Sequence, residues 1–194
     1  GQIKVDYDRL PPVIDVLAAA CEDAPLLHDT MRTKTLAQEP EQASNIAKHI
    51  QQVLGDPAAG FEEADEIVER VFTTDTVHQA YIEPHSATAY WGPEGDVTVW
   101  TTTQGAFTIR SQLSTLFMYP QSKIRVIPTE IGGGFGGKIA SYLEGPAAML
   151  SRITARPVTM SMTRAEEFTS TGPSSGTNIK VRMGATREGR ITAA

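Results

Sequence analysis

Apolar and polar residues change rhythm near residue 61. Before it, apolar positions are sparse. Ile3, Val5 and Tyr7 alternate with Lys4, Asp6 and Asp8, the period of a short half-buried strand. Leu10-Pro11-Pro12 ends that run, because proline lacks a backbone donor and restricts the residue before it. Residues 13–20 predict one or two helical turns. Residues 25–60 are polar, with few aromatics, and read mainly as connector. Within them, Ala43, Ile46, Ala47, Ile50, Val53 and Leu54 fall at helical spacing and predict a helix over 42–54.

From Phe61 onward the pattern is dense and alternates between the two periods. Residues 66–76 and then 77–82 read as one long strand or two, broken at Glu83-Pro84-His85. Residues 88–91 and 97–102 flank Gly92-Pro93-Glu94-Gly95-Asp96, a hairpin signature. In 107–119, Ile109, Leu113, Leu116 and Phe117 share a helical face, and Pro120 ends it. A short strand over 123–128 leads into the glycine loop at 131–138. Residues 142–154 are again helical, with Leu143, Ala147, Leu150 and Ile153 on one side. Residues 157–162 form a strand, and Thr163-Arg164-Ala165-Glu166 opens a short helix as a capping box. Residues 179–185 and 190–193 around Thr186-Arg187-Glu188-Gly189 make a second hairpin. The expected class is α/β, close to α+β: two layers, a mixed sheet with helices, in a domain cut at both ends.

Composition narrows the chemistry. The 194 residues carry 17 Lys and Arg against 23 Asp and Glu, a net charge of −6. The charge is uneven: residues 1–97 hold 6 bases and 18 acids, a net −12, and residues 98–194 hold 11 bases and 5 acids, a net +6. A pI near 5.2 argues against a nucleic-acid partner, while the basic half can still hold a small anion. Cys21 is the one cysteine, which excludes an internal disulfide framework and any thiolate-held metal cluster. None of His28, His49, His78 and His85 pairs with another at zinc-ligand spacing beside a suitable carboxylate. No apolar run approaches the roughly 18–20 residues of a membrane span. Residues 1–8 lack the basic and apolar regions of a signal peptide, so the expected location is the cytoplasm, with the periplasm as the alternative.

The glycine loop is where chemistry is most legible. Five glycines surround Phe135 in residues 132–137, which lets a ligand touch the main chain. Gly132, Gly137 and Lys138 fit a phosphate-binding P-loop until the next position, which must be Ser or Thr and is Ile139. Gly132, Gly134 and Gly137 fit a dinucleotide fingerprint, but residues 152–158 offer no acid for the ribose. A purely structural turn rarely concentrates so many glycines. Glu83 beside Pro84 reads as a turn carboxylate capping backbone donors, and His78 and His85 as core or loop histidines. Arg110 and Lys138 read as solvated or paired surface bases.

The ordered set His78-Gln79-Ala80-Tyr81-Ile82-Glu83-Pro84-His85, then Thr102-Thr103-Gln104, then Ile131-Gly132-Gly133-Gly134-Phe135-Gly136-Gly137-Lys138 resembles the molybdopterin-binding large subunit of the xanthine dehydrogenase and aldehyde oxidase family. Residues 157–167 are similar to that family as well. The resemblance implies that residues 1–30 are the tail of a preceding small domain and connector. It implies that residues 31–194 are the first part of the first molybdenum-cofactor domain.

The resemblance further implies a molybdenum hydroxylase acting on an aldehyde or N-heterocycle, with water as oxygen source. The cofactor is molybdenum-molybdopterin, plain or as its cytosine dinucleotide form, and the pterin dithiolene rather than the protein holds the metal. Gln104 would set its side-chain amide by an oxygen ligand of molybdenum, donating without adding charge. The backbone of Gly133, Gly134, Phe135 and Gly136 would pass beside the centre. The general-base glutamate lies downstream, so no catalytic residue is expected here and the isolated piece should be inactive. Iron–sulfur and FAD partners, as subunits or domains, would take the electrons in an oligomeric parent enzyme. Purine-hydroxylating members have an acid after the loop lysine; Ile139 stands there, against xanthine as substrate. The competing reading is a non-catalytic binding or assembly domain that kept the fold.

Overall fold

A computed structural model describes residues 4–32 and 43–194. The chain divides into two units, residues 1–75 with 176–194, and residues 76–175. In the first, helix α1 (Val16–Ala19) starts at Asp15, whose carboxylate accepts from Ala18 N at 2.7 Å. Residues 4–8 form no strand, and Ile3 lies outside the described residues. The helix expected over 42–54 is absent from 43–54, while Gln42 lies outside the described residues. Among the described residues its apolar face finds no packing surface: Ile46, Ile50 and Val53 are exposed and Leu54 is 96% exposed. A short helix without a packed face is marginal in water. The connector is tied instead by the Asn45 amide, which accepts from Leu27 N (2.9 Å) and donates to the carbonyls of Ala19 (3.1 Å) and Pro25 (3.0 Å). Helix α2 (Pro57–Glu62) has Asp56 as its cap, with Pro at its first position where no donor is lost. Strand β1 (Glu66–Thr74) follows.

The second unit carries the core. Strands β2 (Ser86–Trp91) and β3 (Val97–Thr101) form the expected hairpin, with Trp91 opposite Val97. Helix α3 (Ala106–Phe117) leads through a 3-10 turn (Gln121–Lys123) to β4 (Ile124–Pro128), which lies parallel to β3. Helix α4 (Glu144–Thr154) then leads to β5 (Val158–Ser161), antiparallel to β2. The four-stranded mixed sheet has the order β4-β3-β2-β5. Ala87, Ala89 and Trp91, with Val97, Val99 and Thr101, alternate onto the buried face, as a period of two requires. Ile109 and Leu113 of α3 and Ala147 and Ala148 of α4 cover that face. Each fully buried large side chain in it contributes about 1.5–3 kcal/mol.

Helix α5 (Arg164–Ser170) opens with the capping box read from Thr163 and Glu166. The first unit is completed by β6 (Thr177–Ala185) and β7 (Ile191–Ala193), which join β1 in a separate sheet of order β1-β6-β7. Residues 77–82 are not a strand. Val77 makes one isolated bridge to Ser174. The His78 ring then accepts from Ala80 N at 2.9 Å, and Ala80 sits at φ +49. That local side-chain bond replaces ladder pairing.

Candidate functional site: the glycine loop and Gln104

Strands β3 and β4 run parallel, so their carboxyl ends lie side by side, with Thr129 N donating to Thr101 O at 3.0 Å. In α/β sheets the carboxyl ends of parallel strands are where ligands bind. Here β3 exits into Thr102, Thr103 and Gln104, and β4 exits into the glycine loop. The two exits are bonded together. Gln104 N donates to Lys138 O at 2.8 Å, and Thr103 Oγ1 donates to the same carbonyl at 3.0 Å.

The Gln104 side chain is held by its oxygen. Oε1 accepts from Gly136 N (3.1 Å) and Lys138 N (3.3 Å). Two N–H neighbours fix which end of the amide faces the loop, so the NH2 group points away from it as a donor. Among the described residues, no acceptor is bonded to that group. The Gly136 N–H is thereby committed inward, while the N–H groups of Gly133, Gly134 and Phe135 have no bonded acceptor among the described residues. The chain passes so close to Gln104 at Gly134 that a Cβ there would lie 2.5 Å from Oε1. Gly136 sits at φ +87 with open space where a side chain would go. Phe135 is 73% exposed and adopts φ +49, which costs a non-glycine residue about 1–2 kcal/mol. Such outliers persist where the surroundings over-determine them.

Beneath the loop, Glu83 Oε2 accepts from Gly132 N at 2.7 Å and from Lys138 Nζ at 2.9 Å. This is the capping role read for the turn carboxylate. Lys138 is not a surface base: it is 1% exposed, paired with Glu83, and its ammonium lies 4.9 Å from the Tyr81 ring centroid. Partial burial pushes the Glu83 carboxyl up, but the bonds from Lys138 and Gly132 outweigh it and hold it below the ordinary range. Arg110 is spoken for as well, donating to Gln121 O at 3.1 Å.

A second network anchors the Tyr81 turn. Glu167, at 0% exposure, accepts from Tyr81 OH (2.5 Å), His85 N (2.7 Å) and His85 Nδ1 (2.6 Å). Burial alone would raise the Glu167 carboxyl; the donors of Tyr81 and His85 bring it below its usual value. Burial and the bond to Glu167 push Tyr81 up to about 12. Thr171 Oγ1 donates to Glu167 O, so the His78 Nε2–H donates to Thr171 at 2.7 Å. Arg164 donates to the carbonyls of Tyr81 and Ile82. His78 and His85 are core and loop histidines, as read. Glu167, Tyr81 and buried Lys138 escaped sequence reasoning. Glu167 directly follows Glu166, and only the roughly 100° turn per helical residue separates a solvent-side cap from a buried acceptor.

No group of three or more His, Cys, Asp or Glu among the described residues could hold a metal ion. What the site offers instead is an uncharged set of donors, one amide NH2 and the backbone N–H groups of Gly133, Gly134 and Phe135. Such a surface fits a group that brings its own metal ligands and presents oxygen or sulfur acceptors.

The chain matches the molybdopterin cofactor-binding domain over residues 38–194. It belongs to that family. Among curated relatives, it is 32% identical to a probable hypoxanthine oxidase, XdhD, of Escherichia coli, covering 98% of this chain and 22% of that protein. It is 29% identical to the nicotinate dehydrogenase large molybdopterin subunit of Eubacterium barkeri, covering 98% of this chain and 42% of that one. A solved structure of CO dehydrogenase from Oligotropha carboxidovorans superposes with a TM-score of 0.73 at 31% identity, over 97% of this chain and 24% of the other. The chain therefore spans less than half the length of these relatives. The mixed α/β fold expected from the sequence is that of the molybdopterin-binding domain, and the family resemblance holds. None of the helices among the described residues is long and apolar enough to cross a membrane.

Proposed function

We propose that this molybdopterin cofactor-binding domain forms one wall of the cofactor pocket in a molybdenum hydroxylase. In this reading residues 1–30 are the tail of a preceding small domain, and the general-base glutamate lies elsewhere in the subunit. The observation that carries the proposal is Gln104: its oxygen is committed to Gly136 and Lys138 N–H, so its NH2 group faces outward, near three backbone N–H groups that have no bonded acceptor among the described residues. Gln104 would donate to an oxygen of the bound cofactor, and Gly133, Gly134 and Phe135 would offer main-chain donors next to it. Fixed neutral donors of this kind stabilise developing negative charge without rearranging. The bound cofactor would supply the two-electron oxidation and the oxygen taken from water.

The substrate class is an aldehyde or N-heterocycle. Ile139 follows the loop and is half exposed beside Gly105, where a Cβ would come within 3.6 Å of Ile139 Cγ2. An alkyl group next to Gln104 cannot accept from a purine edge, and a missing polar partner is discriminated strongly. In this reading the electrons pass to iron–sulfur and flavin subunits or domains, because one cysteine, Cys21, in these 194 residues cannot hold a cluster. The test is Gln104→Ala in the full-length protein from a host that makes the cofactor. Turnover should fall about 10–100-fold, as for groups that orient a metal site. Unchanged turnover would favour a domain that keeps the fold without the chemistry.

A further inference from the structure

Two charged side chains under the loop have no role in the reading above, and their placement is unusual for surface residues. Lys138 is the last residue of the loop, and its ammonium is fully buried. Its ionic partner among the described residues is Glu83, whose Oε2 also takes the N–H of Gly132, the first glycine of the loop. Glu83 N in turn donates to Gly132 O at 3.3 Å. One carboxylate thus ties both ends of a seven-residue loop, residues 132–138, to the turn that follows Tyr81. The contact at Gly132 is close enough that a Cβ there would lie 2.7 Å from Glu83 Cβ. Lys138 N also donates to Gln104 Oε1, so moving the lysine moves the amide that the proposed pocket uses.

We infer that Glu83 and Lys138 are positioning residues: their buried pair sets the span of the glycine loop and, through it, the direction of the Gln104 NH2 group. The inference rests on the cofactor-pocket reading of that loop. A buried ammonium left without its carboxylate is costly, so the pair holds one geometry rather than several. The loop's shape rests on hydrogen bonds: Gly136 N–H to Gln104 and Gly137 N–H to Gly134 O inside it, and the Glu83 and Lys138 bonds at its two ends. Glu83 also sits in a turn anchored independently by Arg164 and Glu167, so the fixed point does not move with the loop.

The test uses Glu83→Ala, Lys138→Met and Lys138→Arg in the full-length protein. Amide hydrogen exchange is read on cofactor-free protein, made in a host unable to synthesise the cofactor, and molybdenum content on protein from a competent host. In Glu83→Ala and Lys138→Met the bonded loop amides of Gly136, Gly137 and Lys138 should exchange about tenfold faster or more, while β2, β3 and α4 keep wild-type rates. Molybdenum content should fall severalfold in both, and Lys138→Arg should recover much of each effect. Wild-type loop exchange and molybdenum content in both variants would overturn the inference, as would faster exchange spread equally over β2, β3 and α4. Should Glu83→Ala not fold, Lys138→Met decides, because it keeps the Glu83 bond to Gly132 and a similar side-chain volume. Wild-type protein without molybdenum would sink the pocket reading, while loop exchange would still judge the Glu83/Lys138 pair.

Discussion

Gln104 and Gly134 are in contact at the limit of packing: a methyl group on Gly134 would lie 2.5 Å from Gln104 Oε1 and 2.6 Å from its Cδ. Both atoms are the far end of a flexible side chain, so the protein can yield there by swinging Gln104 away. Gly134→Ala should therefore cost little stability, about 1–2 kcal/mol, while removing Gln104 from its bonds to Gly136 and Lys138. Thermal unfolding should shift by a few degrees, and turnover should drop to that of Gln104→Ala. A folded Gly134→Ala protein with full turnover would contradict this.

The Glu167 and Glu83 carboxyls sit below their ordinary value near 4.5 in the folded chain. A carboxyl depressed on folding binds fewer protons folded than unfolded. The stability it contributes is present above the unfolded value and disappears as pH falls through the folded one. Melting temperatures should fall steeply below about pH 5. Glu167→Gln should lower stability at neutral pH and flatten that acid limb, because the group that titrates is gone. An acid limb of wild-type steepness in Glu167→Gln would count against the assignment.

Leu113 is fully buried at the centre of the layer between α3 and the four-stranded sheet. Leu113→Ala should destabilise by about 2–5 kcal/mol, read by urea unfolding. Leu116, one turn along the same helix, is exposed, and Leu116→Ala should change stability by less than about 1 kcal/mol. Equal costs at the two positions would mean the helix face is wrongly placed.

The elements after residue 61 were legible where pattern and turn chemistry agree. The hairpin around Gly92 and Gly95, Ile109 and Leu113 on the α3 face, and the box of Thr163 and Glu166 are examples, whereas Leu116, Leu150 and Ile153, read onto the same helix faces, are exposed. The reading failed where apolar spacing had no surface to pack on, as at Ile46, Ile50 and Leu54. It failed again at residues 78–82, where the His78 ring captures the Ala80 N–H and turns the chain. Glu83 was recognisable as a capping carboxylate because a proline follows it. Lys138 was not recognisable as buried, since its cover is Tyr81 and its partner Glu83, more than fifty residues earlier in the chain. The convergence of Gln104 with the loop follows from the parallel pairing of β3 and β4, which spacing alone does not encode.

The central claim is that Gln104 and the loop of residues 132–138 form a wall of a molybdenum-cofactor pocket. Its most direct test is elemental analysis of the full-length protein purified from a host that makes the cofactor. Near-stoichiometric molybdenum, sharply reduced in Gly134→Ala, is the result the account predicts. Protein that is folded but free of molybdenum would contradict it.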